Sequence, residues 1–241
     1  MAQSASRRLP RGRHALSREE VDRIQRTRLC AAMADVMAEQ GYVATSVEDV
    51  LKRAGVSRQS FYRLFDSKAD CFMASFDMAA DILLRRVLDS LGDGAGGEQA
   101  EQAEASAKAP PDGRDDRDEP LRRFERAVTA YLDVLAAELP FARLFLVEVY
   151  AAGPEALRRR GELQATLSGT LADLLEVTDE AGRFTCQMII AATSAMVTVP
   201  VAERDPERLH AIGPALIGHV RNLWRADAFG KGTGSGDRPR A

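Results

Sequence analysis

Four neighbouring side chains, Arg58, Gln59, Ser60 and Tyr62, stand out in this 241-residue chain for the chemistry their types allow. An arginine guanidinium carries paired donors that match guanine O6 and N7. A glutamine amide matches adenine N7 and N6 in the same way. The Tyr62 hydroxyl and the Lys68 ammonium suit phosphate oxygens, contacts that fix orientation rather than read sequence. From Val50 through Phe65 no acidic residue is present to repel a polyanion.

Base reading needs a rigid support, and the residues on either side supply one. Ser46 is a helix N-cap, with Glu48 and Asp49 in the first turn where negative charge suits the helix dipole. Val47, Val50, Leu51 and Ala54 make an apolar stripe, and Gly55 can take the positive φ of a sharp turn. Val56 plugs the corner, and Ser57 caps a second short helix. Phe61, Leu64 and Phe65 of that helix face inward, while Arg58, Gln59, Ser60, Tyr62 and Arg63 form its polar face. A short helix, a glycine turn and a second helix with a basic outer face is the pattern of a helix-turn-helix.

The run Ala54-Gly55-Val56-Ser57, Phe61-Tyr62, Phe65 and Lys68 resembles the end of the TetR-family DNA-binding domain. The likeness extends over about residues 24–76. It implies an all-α fold, with a three-helix helix-turn-helix domain followed by a helical bundle that binds a ligand and dimerises. It also implies that Arg58, Gln59, Ser60 and Tyr62 face operator DNA and that Lys68 holds a phosphate at the start of the next helix. The full DNA-contacting set expected is Ser46, Ser57, Arg58, Gln59, Ser60, Tyr62, Arg63 and Lys68, joined by Arg11 and Arg13.

Charge is distributed to match. Residues 1–68 hold thirteen Arg and Lys against eight Asp and Glu, a net of +5, so the remainder carries −8 of the chain's −3. Residues 1–18 include Arg7, Arg8, Arg11, Arg13 and Arg18 with no acid. They read as a basic arm, either contacting the minor groove and phosphates or merely solubilising.

Helical patterning at 19–76 makes the first domain, Gly41 ends its first helix, and 77–91 continues as a connecting helix. Residues 92–119 lack Val, Ile, Leu, Met and aromatic side chains, so they read as a mobile linker. The domain at 120–227 then shows helical segments at 121–139, 141–150, 154–177, 181–203 and 206–226, with a kink at Gly213-Pro214. A tail at 228–241 reads as disordered. A ligand cavity is expected among these segments. Tyr131, Phe145, Glu148, Tyr150, Gln187, Met188, Ala192 and Thr193 are its candidate lining, since such sites are apolar with a few placed polar groups. Glu148, within an apolar run, requires an arginine or a cationic ligand if buried. The two-fold interface is expected on 181–203 and 206–226. There Ala191, Ala192, Ser194 and Ala195 allow close approach, while Ile189, Ile190, Met196, Leu216, Ile217, Val220 and Leu223 fill the space between.

Other classes are disfavoured. The longest apolar run, 188–202, is shorter than a membrane span of ~20 residues. Cys30, Cys71 and Cys186 are odd in number and far apart, and His14, His210 and His219 have no metal-site spacing. No nucleophile elbow, phosphate loop, dinucleotide fingerprint or HExxH motif is present. The expectation is a cytoplasmic, non-enzymatic regulator with no cofactor or metal, released from a quasi-palindromic operator by a small molecule. A ligand-independent architectural regulator and an enzyme with an appended helix-turn-helix are the rival readings.

Overall fold

The computed structural model describes residues 17–92 and 118–229, and every regular element among them is a helix. The expected arm with Arg11 and Arg13, the linker residues 93–117 and the tail from 230 onward lie outside the described residues.

Helix α1 (Arg18–Ala44) starts in a reciprocal cap. Ser17 Oγ accepts the Glu20 N–H at 3.1 Å, and the Glu20 carboxylate accepts the Ser17 N–H at 2.7 Å. Gly41 interrupts the helix with φ +79° and ψ 163°, so residues 42–44 form a separate turn with a new direction. Only glycine takes that backbone conformation without strain. Helix α2 (Val47–Ala54) begins with the Ser46–Asp49 capping box and ends at Gly55, which sits at φ +63°. Ser57 Oγ accepts the Ser60 N–H at 3.1 Å to cap α3 (Arg58–Leu64). Phe61 and Phe65 are buried against Leu29, Met33 and Met37 of α1 and Val50 of α2 in one apolar core.

Helix α4 (Lys68–Gly92) follows directly and is continuous across the expected boundary at residue 76. Its N-terminal half packs on α1 and buries Cys71, Phe72 and Phe76. Its C-terminal half packs on α5 (Glu119–Ala137). Two halves of one rigid rod thus serve both parts of the molecule.

The segment 141–150, expected as one helix, is two elements. Helix α6 (Leu139–Leu146) starts with Pro140 in its first turn, where a missing N–H costs nothing. A single 3-10 turn, Glu148–Tyr150, follows. Helices α7 (Pro154–Leu174) and α8 (Glu180–Glu203) pack side by side. The expected kink at Gly213-Pro214 falls slightly earlier. Helix α9 (Pro206–His210) ends before Ala211, and Pro214 sits harmlessly in the first turn of α10 (Ile212–Arg225). The ordered chain also runs past the expected end at 227, because Phe229 is buried, with its ring 6.1 Å from that of Trp224.

Candidate functional site

The second helix of the pair presents two distinct faces. Phe61 is fully buried, while Arg58, Gln59 and Tyr62 project outward, with Tyr62 49% exposed. The Tyr62 ring meets the Phe61 ring edge-on at 5.3 Å, which holds its hydroxyl away from the core. The turn before α3 is tight. A Cβ at Gly55 would come within 3.0 Å of the Arg28 guanidinium, in a conformation that already disfavours L side chains. Ser46 and Ser57 lie on the same surface, both engaged as caps.

Two of the expected DNA contacts have other partners. Arg63 donates to Asp22 at 2.5 Å and to Gln25 at 3.0 Å, tying α3 to α1 instead of pointing at a base. Lys68 donates to the carbonyls of Tyr42 at 2.9 Å and Thr45 at 3.0 Å, and its ammonium lies 4.2 Å from the Tyr42 ring centre. It closes the broken end of α1 onto the start of α4. Without DNA, Lys68 thus acts as an internal brace with two of its three protons engaged, and the third is left to reach a phosphate. Lys68→Ala should lower the stability of the DNA-free protein by about 1.5–3 kcal/mol, the range for hydrogen bonds to charged groups. Thermal unfolding checks this, since a residue that only bound phosphate would leave the DNA-free midpoint unchanged.

The C-terminal helices enclose a cavity of about 120 Å³. Leu83, Val87 and Leu91 of α4 form one wall, and Phe124, Val128 and Tyr131 of α5 form another. Leu163, Leu167, Leu171 and Leu174 line the α7 side, with Ile189, Ile190, Thr193 and Ser194 on α8. Arg160 is the sole charged residue among the described residues of the lining. The volume lies below the ~300–1,000 Å³ usual for small-molecule sites, so a ligand of ordinary size must push the walls apart.

Residues 29–74, which span the helix-turn-helix and most of its supports, match the bacterial regulatory proteins of the tetR family. The N-terminal domain is a tetR-family DNA-binding domain. No curated protein matches the chain. Solved structures match most of it in fold. The fatty acid degradation regulator FadR from Bacillus halodurans is 18% identical with a TM-score of 0.61, over 83% of this chain and 94% of its own. FadR from Bacillus subtilis, in complex with stearoyl-CoA, is 17% identical with a TM-score of 0.57, over 82% and 96%. The TetR-family regulator PfmR from Thermus thermophilus is 18% identical with a TM-score of 0.54, over 82% and 96%.

Behind this TetR-type domain, the structure sorts the expected ligand residues into four groups. Tyr131, Phe145 and Thr193 do line the cavity. Gln187, Met188 and Ala192 do not; they lie exposed on the outer face of α8. An Ala192→Trp substitution would therefore leave the cavity unfilled. Tyr150 is 56% exposed and touches the site only through Arg160, whose guanidinium carbon is 5.2 Å from its ring centre. Glu148 is buried outside the cavity. One of its oxygens accepts the Tyr42 N–H at 2.8 Å, and the other lies 3.6 Å from Arg143. It therefore has the arginine partner its burial demands, and it also reaches across to the TetR-type domain at the Gly41 break. Arg204 of the α8 cap likewise donates to the Ala38 carbonyl of α1, and Arg159 of α7 pairs with Asp77 of α4 at 2.8 Å.

Sequence reasoning missed Arg160 and the leucines of α7. The signal was present, since Arg160 heads a stripe continued by Leu163, Leu167, Leu171 and Leu174 at helical spacing. All three cysteines are buried. Burial pushes their thiols up, that of Cys186 to about 11, which keeps them protonated and inert at neutral pH.

Proposed function

We propose that this chain is a homodimeric repressor that holds operator DNA with two copies of α3 and lets go when a small molecule enters the C-terminal cavity. One observation carries the reading: only three residues separate α4 from the recognition helix, and α4 forms a cavity wall at Leu83, Val87 and Leu91. Those residues lie roughly 20–35 Å along the rod from Lys68, at 1.5 Å per residue. A ligand larger than the resting cavity must displace that wall, and the stiff rod carries the displacement to the DNA-reading end. Tenfold weaker operator binding needs only about 1.4 kcal/mol of preference for the displaced state. The fold's occurrence in a FadR complexed with stearoyl-CoA supports a small-molecule effector for this chain too.

Dimerisation rests on the outer face of α8. Phe184, Met188, Met196 and Val199 are 60%, 57%, 43% and 46% exposed, with Ala191, Ala192 and Ala195 between them. Such an apolar stripe with small residues suits close packing against its own copy. It keeps Met196 of the expected filling, while Ile189, Leu216 and Val220, with Ser194 of the expected small residues, are buried within the chain's own core. Two recognition helices would then sit about 34–36 Å apart, or a multiple of that, on a quasi-palindrome. Selecting bound DNA from a random pool should return such a palindrome, and a small-molecule screen should find compounds that abolish that binding. A single half-site from the pool, or a stable monomer in sedimentation at micromolar concentration, would overturn the two-fold reading.

A further inference from the structure

The start of α7 holds three consecutive arginines, and they are used differently. Arg158 pairs with Glu155 and Glu162, and Arg159 with Asp77 and Glu162. Arg160 has only neutral partners. It donates to Ser194 Oγ at 2.7 Å and lies over the Tyr150 ring. Among the described residues no carboxylate pairs with it, although it is half-buried and lines the cavity. The adjacent Thr193 is 8% exposed, lines the same cavity, and its Oγ1 has no hydrogen-bond partner among the described residues. A partly desolvated cation with no counter-ion and an unsatisfied buried hydroxyl both carry a standing cost, and a ligand bearing an oxyanion would remove it.

We propose that the effector is an apolar molecule with one carboxylate, held by Arg160 with Thr193 donating a further hydrogen bond, its body lying among the leucines of α4 and α7. One observation favours a carboxylate over a bulkier oxyanion. Arginine's planar fork takes either with two parallel hydrogen bonds, but the resting cavity of about 120 Å³ favours the smallest head group. The assignment rests on the cavity being the effector site.

Calorimetric titration of the full chain with octanoate, 1-octanol, octylammonium and octyl sulfate tests both levels separately. Octanoate should bind at least tenfold more tightly than octanol, and octylammonium most weakly. Arg160→Gln should bring octanoate down to the affinity of octanol without altering octanol itself. Arg160→Lys should restore part of the difference, because it keeps the charge and loses the fork. Thr193→Val should reduce octanoate binding more than octanol binding. Equal octanoate and octanol affinities would overturn the carboxylate assignment and leave the cavity standing. Tighter binding of octyl sulfate would reassign the head group to a tetrahedral oxyanion. An octanoate preference that survives Arg160→Gln would overturn the role of Arg160, and no binding by any of the four would overturn the cavity reading itself. Thermal midpoints of the variants, matched to wild type, exclude misfolding as the cause.

Discussion

Glu148→Ala will destabilise the protein by about 3–5 kcal/mol, the cost of removing one partner of a buried ion pair. The residue is 8% exposed, and its carboxylate satisfies groups on both sides of the domain boundary. Its loss strands the Tyr42 N–H, which it accepts at 2.8 Å, just past the Gly41 break. It also leaves Arg143 without an acid. Arg143 already has an unpartnered Nε, and its remaining tie is to the α8 carbonyls, of which Ala202 O lies at 2.6 Å. Glu148→Gln separates the two losses, because an amide oxygen still accepts the Tyr42 N–H while the charge pairing is gone. The glutamine variant should therefore fall between wild type and alanine in urea or thermal unfolding. Operator affinity should fall in the same order, since this contact fixes the first domain against the second. An alanine variant with an unchanged unfolding midpoint would show that Glu148 does not fasten the two domains.

Arg58→Ala will weaken specific operator binding by about 1–3 kcal/mol per half-site, the worth of one bidentate base contact. A dimer loses that twice, so the effect on the whole complex is of the order of 2–6 kcal/mol if both half-sites are equivalent. Arg58 is exposed and makes no ion pair with the described residues, so stability without DNA should not change. Preference should relax at one base position in each half-site. Gln59→Ala should relax preference at a neighbouring position by a similar amount. Binding across a panel of operator variants, with salt fixed, checks both. Unaltered affinity and unaltered preference in the Arg58 variant would place the reading face elsewhere.

What the amino-acid sequence determined by itself lies within short reach along the chain. Ser17, Ser46 and Ser57 cap helices because each bonds an N–H three residues ahead. Gly55 turns the chain through its own φ, and Phe61 and Phe65 share a face because they are one helical turn apart. These are the interactions that define a helix-turn-helix, which is why its outward face at Arg58, Gln59 and Tyr62 was legible. Tertiary structure decided the rest. Helix α8 is apolar on several sides, so periodicity could not tell Thr193 and Val197, which face in, from Met188 and Met196, which face out. Which side becomes cavity or interface depends on where α5 and α7 come to lie. The carbonyls that hold Lys68 and the amide from which Glu148 accepts were hidden for the same reason. They lie 26, 23 and 106 residues away, and no local pattern encodes a contact across that separation. A charged side chain on a half-buried helix must satisfy its charge, but the sequence does not say with what; only the packing of distant helices supplies the carbonyl or the amide.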